Sequence, residues 1–381
     1  MLSSYSVNQA GPSHMLRGVP CQDSYSVQLV CDGGVIVAAV ADGLGSESHS
    51  DIGSFVASHV SVKYVADSLE DGDAEGLIET IREAFCEAYD AVLAEAARRD
   101  ESAGEYDSTL CLAVFKEGTL WWGHSGDSGL ICSHTDGTYQ LVTRMQRDDE
   151  GRVFPLCFSE RWEFGKVENV STFLLCTDGI LEVLAPPILQ TMTDQAVDTR
   201  LVRMFLHPQK DDADHLEELE AGACEYWTQC DPAVLDDDKT MVVVFDVENP
   251  PATQDESYYG GPDWAEIKKQ IDELLYPQSA SDEKHETEDL PLDSLSDDAA
   301  SRLGSSSNSV EHPKPADRTH HHRRSVLRTE MAADATEEMA LLLIKTMARG
   351  ASVTAECLLF LADIAAASAE DCLEQLEKRK R

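Results

Sequence analysis

The chain has 381 residues, with 30 Lys and Arg against 71 Asp and Glu and a formal net charge of −41. That balance excludes a nucleic-acid backbone binder and a protein that docks on anionic membranes, both of which need clustered cations. An apolar share of 42% is enough for a substantial core, so wholesale disorder is excluded too.

The opening, MLSSYSVNQAGPSHML, has no basic segment followed by an apolar one, and no run of about 18 uncharged apolar residues occurs anywhere. Eleven cysteines are scattered singly with no Cys-x-x-Cys pair, which reads as buried free thiols in a reducing compartment. The expectation is a soluble cytoplasmic protein.

In chain order, Ser24–Cys31 and Val35–Ala41 are apolar runs flanking Asp32-Gly33-Gly34, the signature of a hairpin whose glycines supply positive φ angles. Two helical stretches follow, about Ile52–Ala66 and Ala74–Arg98. The second places Leu77, Ile81, Ala84, Phe85 and Ala88 on one face. A second hairpin runs from Thr109–Phe115 into Leu120–Gly123, and further strands are predicted at Gly129–Ser133, Tyr139–Val142, Thr172–Cys176 and Thr240–Phe245. Hairpins with helices between them imply antiparallel sheets covered by helices, an α+β fold occupying residues 1–246. Residues 247–328 read as an acidic, largely disordered linker, with one amphipathic helix at Trp264–Leu275 and a polar His320-His321-His322 spacer. Residues 329–381 return to helical patterning and form a small C-terminal helical segment, which needs a surface to pack on and suits a protein partner.

Carboxylates recur at strand ends. Asp42 follows the run Val35–Ala41, Asp178 follows Phe173–Thr177, each has a glycine behind it, and Asp236-Asp237-Asp238 precede Met241–Phe245. An Asp-Gly after a strand is by itself an ordinary turn. Several such acids gathered at one sheet edge, with Asp23 before the first strand, would repel unless a cation sat among them, and hard Mg²⁺ or Mn²⁺ ions take oxygen ligands of this kind.

The order Gln22-Asp23, Ala41-Asp42-Gly43-Leu44-Gly45-Ser46, Gly126-Asp127-Ser128, Thr177-Asp178-Gly179 and Asp237-Asp238-Lys239-Thr240 resembles the metal-dependent PP2C (PPM) serine/threonine phosphatases, in particular their bacterial branch. The resemblance implies an α-β-β-α four-layer sandwich with two Mn²⁺ or Mg²⁺ ions at one end of the sheets. It implies that Asp42 bridges them, that the Gly43 carbonyl reaches one, and that Asp178 and Asp237 hold the other. Asp23 falls beside the centre, as a ligand or behind one, and Asp127 with Glu182 resembles a third, weaker metal site. The implied chemistry is direct attack of a hydroxide bridging two ions on a phosphoserine or phosphothreonine.

The chain departs from the pattern in two places. Leu44 stands where eukaryotic members carry a histidine, which leaves His14, His49 and His124 as candidate acids. Gly18 stands where a phosphate-holding arginine is usual, with Arg17 one step away. A flap is expected at about Gln146–Lys166, carrying Arg147, Arg152, Arg161 and Trp162. A catalytically silent binding module and a small-molecule phosphomonoesterase remain the alternative functions.

Overall fold

The computed structural model describes residues 2–70, 76–192, 196–208 and 215–275. In chain order these form β1 (Leu2–Gln9), α1 (Pro12–Arg17), β2 (Asp23–Val30), β3 (Val35–Asp42), α2 (Ser50–Glu70) and α3 (Leu77–Arg99). Next come β4 (Leu110–Lys116), β5 (Thr119–Ser125), β6 (Gly129–His134), β7 (Tyr139–Leu141), β8 (Glu163–Glu168) and β9 (Val170–Cys176). The series ends with α4 (Asp178–Leu184), α5 (Pro187–Met192), α6 (Thr199–Leu206), α7 (Leu216–Thr228), β10 (Lys239–Asp246) and α8 (Trp264–Leu275). Two compact units divide the chain, one containing Met1–Pro262 and the other Asp263–Ala335; of the second, only its start with α8 lies among the described residues.

The strands of the first unit form two five-stranded antiparallel sheets, β1-β10-β9-β6-β7 and β2-β3-β4-β5-β8. Their inner faces meet through Ile36, Ala38, Val40, Phe115, Leu130, Phe173, Val242 and Val244. The alternate residues point the other way. Val37, Ala39, Leu112 and Val114 pack on Ile81, Phe85 and other residues of α2 and α3. Ile131, Leu174, Met241 and Val243 pack on Leu184, Val202, Phe205 and Trp227 of α4, α6 and α7. A strand covered on both faces has no polar side to its period of two, which is why β3 and β10 read as unbroken apolar runs. The architecture is therefore the expected α-β-β-α sandwich.

The predicted strands and helices are present with shifts of at most four residues at their ends. The first hairpin differs in its turn: Cys31 and Asp32 as well as Gly33 take positive φ (53°, 55° and 82°), so the glycines do not carry the reversal alone. β1 and β8 are additions to the predicted set, because they carry polar residues at alternate positions and show no apolar run.

The ordered fold also continues past Asp246, where the composition suggests a linker. Ala252 N donates to Thr135 O at 3.0 Å, and the Tyr258 hydroxyl accepts from Tyr139 N at 2.7 Å. Tyr259 is buried, with the Arg203 guanidinium 4.0 Å from its ring centre. Two aromatic rings and backbone bonds outweigh the turn-rich composition, and the described part of this unit runs on past 246 to Pro262. Within the second unit, α8 spans the predicted Trp264–Leu275. The remainder of the expected linker and the C-terminal helical segment at 329–381 lie outside the described residues.

Candidate metal centre

The two sheets present the turns bearing Asp23, Asp42, Asp127, Asp178 and Asp237 at one end of the sandwich. Asp23 opens β2 and pairs across the ladder with Asp42, which closes β3. Asp42 is fixed by its own backbone, its N–H donating to Thr109 Oγ1 (2.9 Å) and its carbonyl accepting from Thr109 N (2.8 Å). Gly43 passes so close to neighbouring chain that a Cβ there would lie 2.5 Å from Ser50 O and 2.7 Å from Gln22 O. Gly179, just inside α4, is pressed against the Asp238 carbonyl, and a Cβ would overlap it. The Asp-Gly pairs are thus explained by close backbone approach, since neither glycine has a positive φ.

Asp42, Asp127 and Asp178 each offer a carboxylate oxygen within 4.8 Å of the others. Together with Asp237, His14, Thr109 and Arg147 they line a cavity of about 220 Å³. A neighbouring cavity of about 500 Å³ shares Asp178, Asp237 and His14 and adds Glu182, Arg17 and Leu235. Glu182 sits one helical turn beyond Asp178, on the same side of α4.

Crowding of buried acids raises their proton affinities. Burial, then the charge of Asp238, lifts Asp23 to about 8 against the opposing hydrogen bond from Thr177 Oγ1 (2.7 Å). Asp42 is raised well above the usual range by burial and by Asp178, Asp23 and Asp127. Asp178 is raised likewise, by burial and by Asp127, Glu182 and Asp237. Glu182 rises to about 7, mainly through burial, and Arg147 restrains the rise. Asp237 is the most exposed of the set, yet desolvation of its carboxyl raises it as well.

These residues fit a hard divalent cation. The donors are all oxygens, they converge on a cavity, and their mutual repulsion is relieved by positive charge. Asp127, 1% exposed, leaves its Oδ1 buried without a hydrogen-bond partner, which a cation would satisfy.

Asp238 has a different task from Asp237. Its two oxygens accept from Gly11 N and Gln22 N, both at 2.6 Å, and Oδ1 lies 2.8 Å from His14 Nδ1 without an aligned hydrogen bond. A carboxylate so occupied ties the 11–22 loop to the start of β10 and has little left for a ligand. Three consecutive aspartates give no hint of this division.

The three histidines also separate. His14 lines the cavity, His49 faces Glu101 (3.4 Å) and stacks on Tyr106, and His124 is fully buried against Ser128 O. Burial drives His124 down to about 4, so near neutrality it is the neutral imidazole, its Nε2–H donated to Ser128 O, and not an acid.

Arg147 is the residue at this centre that the sequence pattern does not single out. Its flap folds back as a small hairpin, with an isolated bridge between Arg147 and Val153, and brings the guanidinium onto Asp127 (2.7 Å), Asp178 (3.0 Å) and Glu182 (3.2 Å). Burial works against its charge, but the three acids hold its proton above the ordinary arginine range.

With this geometry in view, the protein-family model for Protein phosphatase 2C matches residues 10–220. The span takes in Asp23, Asp42, Asp127, Arg147, Asp178 and Glu182 and ends before Asp237. The chain belongs to the protein phosphatase 2C family, a class of metal-dependent serine/threonine phosphatases. No curated protein matches the sequence.

Among solved structures it resembles PppA, a regulatory component of T6SS in Pseudomonas aeruginosa, at 17% identity over 64% of this chain and 97% of that one, with a TM-score of 0.43. It also resembles the Mycobacterium tuberculosis serine/threonine phosphatase PstP/Ppp, at 18% identity over 64% and 98%, with a TM-score of 0.40. A third is a C. elegans sex determining protein, at 15% identity over 64% of both chains, with a TM-score of 0.44. No helix among the described residues is long and apolar enough to cross a membrane.

Proposed function

We propose that the chain hydrolyses phosphoserine and phosphothreonine in proteins, using two Mn²⁺ or Mg²⁺ ions held by Asp42, the Gly43 carbonyl, Asp178 and Asp237, with Asp23 behind Asp42 and a third ion at Asp127 and Glu182. The observation that carries this reading is the convergence of repelling, proton-hungry acids on one 220 Å³ cavity, whose lining residue Asp127 has a buried carboxylate oxygen without a hydrogen-bond partner. When bound, the cations supply an activated water near neutral pH and positive charge for the phosphate oxygens.

The chain's own residues do the rest. Asp42 is clamped by Thr109 and Asp178 is fixed at the start of α4, so neither carboxylate drifts when its neighbour titrates. Asp23, bonded by Thr177, keeps its proton or releases it according to the charge of the groups around it. The leaving alkoxide needs a proton that Leu44 cannot give. His14 is the histidine on the cavity wall, with Nδ1 facing Asp238, and we assign it that donation. Nine cysteines among the described residues are free, which suits the reducing cytoplasm.

Hydrolysis of an aryl phosphate and of a phosphothreonine peptide, with and without Mn²⁺, tests the reading against Asp42→Ala. Turnover of both that needs Mn²⁺ and is lost in the variant is expected. Undiminished turnover in excess EDTA would overturn the metal centre. Turnover of the aryl phosphate alone would point to a small phosphomonoester as substrate, and a metal-binding chain inert on both would be a binding module.

A further inference from the structure

The Asp127–Asp178–Glu182 cluster already holds a cation of the chain's own. Arg147 Nη2 contacts all three carboxylates and its Nε adds a second bond to Asp127 Oδ2 at 2.9 Å. Resting on the metal-centre reading above, we propose that Arg147 is a resident counter-ion that competes with a divalent cation for this cluster, so that the ion enters only as the guanidinium leaves.

Three features carry the inference. The first is place. A cation bound by Asp127, Asp178 and Glu182 must sit where their oxygens converge, and Nη2 lies within 3.2 Å of each, so the two positive groups cannot share the site. The second is incompleteness. The guanidinium serves Oδ2 of Asp127 and leaves Oδ1 buried without a partner, and one guanidinium faces three acid side chains. Arg147 therefore holds the cluster without satisfying it.

The third is the mounting. Gln146, the residue before it, is pinned to the Gly126–Asp127 turn at both ends. Its N–H donates to Gly126 O (2.9 Å), its Oε1 accepts from Gly126 N (3.1 Å), and its Nε2 donates to Arg161 O (2.8 Å). Beyond it, Asp148 N donates to Arg152 O and Phe154 N to Gln146 O. The flap backbone is thereby held by bonds in which the guanidinium takes no part, so releasing the guanidinium from the acids breaks none of them.

Competition of this kind weakens the cation step at this cluster and, through the shared Asp178, bears on the ion held with Asp237 less than on this one. It also distinguishes charge from packing. Arg147→Lys keeps a competing cation, Arg147→Gln keeps the stem and removes the charge, and Arg147→Ala removes both.

Calorimetric titration of the full chain with Mn²⁺, together with electron paramagnetic resonance counting of bound Mn²⁺, reads the effect without reference to turnover. The weakest Mn²⁺ step should tighten at least tenfold, about 1.4 kcal/mol, in Arg147→Gln and Arg147→Ala, and much less in Arg147→Lys. At a Mn²⁺ concentration that leaves this step unfilled in the natural chain, the neutral variants should carry one more ion. If Arg147→Ala loses its circular dichroism, Arg147→Gln alone decides. Equal affinities in the natural chain and the neutral variants, or weaker binding in the variants, would overturn the competition while leaving the metal centre standing. No Mn²⁺ uptake by any of the chains would overturn both.

Discussion

Replacing Glu182 by glutamine should stabilise the metal-free protein above neutral pH. Glu182 is buried, and its carboxyl moves from 4.5 to about 7 on folding. A group whose folded pKa is raised holds its proton more tightly in the native state. Its contribution is therefore intact below about 4.5, declines as the pH climbs towards 7, and is fully lost above that. Each tenfold change in proton affinity is worth about 1.4 kcal/mol, so the glutamate subtracts about 3 kcal/mol from the fold by pH 8. Glutamine mimics the protonated acid and does not titrate. In EDTA, urea unfolding should find the variant and the natural protein alike at pH 4.5, with the variant more stable by about 3 kcal/mol at pH 8, or roughly 6–12 °C in Tm for a domain of this size. Saturating Mn²⁺ should erase the advantage by neutralising the same charge. A variant with the same pH slope as the natural chain, or one weaker at pH 8, would refute the claim that these acids are stressed in the native state.

Two further outcomes are expected. Asp237→Asn should abolish turnover with no loss of stability, whereas Asp238→Asn should cost about 2–3 kcal/mol by setting an amide N–H₂ against a backbone N–H that had a carboxylate, and paired denaturation curves would expose an inverted order. A chain ending at Pro262 should fold and hydrolyse aryl phosphate. One ending at Val247, which lacks the Tyr258 and Tyr259 packing, should melt several degrees lower, and coincident melts would contradict the assignment of those residues to the domain.

The sandwich is legible in the sequence because its central strands are covered on both faces, and five strand-end motifs identify the carboxylates in order. What stays hidden has physical causes. β8 alternates exposed and half-buried positions at a sheet edge and offers no apolar run to find. Tyr258 and Tyr259 belong to the core through bonds to Tyr139 and Thr199, partners about 60 to 120 residues away, which no local pattern encodes. Asp237 and Asp238 are identical letters whose roles separate only once Gly11 N and Gln22 N arrive from the other end of the domain. Arg147 looks like one of several surface arginines because its partners lie 20, 31 and 35 positions away.

The pairing of β1 with β10, Leu2 opposite Asp246, carries a consequence for synthesis. The first strand of this domain to leave the ribosome hydrogen-bonds to the last, and Asp238, which anchors the 11–22 loop, arrives just ahead of that final strand. Until then β1 has no neighbour in its sheet, and the turns carrying Asp23 and Asp42 lack their counterpart at Asp237. The growing domain therefore spends nearly its whole synthesis without a complete acidic cavity. Metal capture becomes an event that follows translation of the domain, gated by one late, long-range strand closure of the kind that makes such topologies slow to fold.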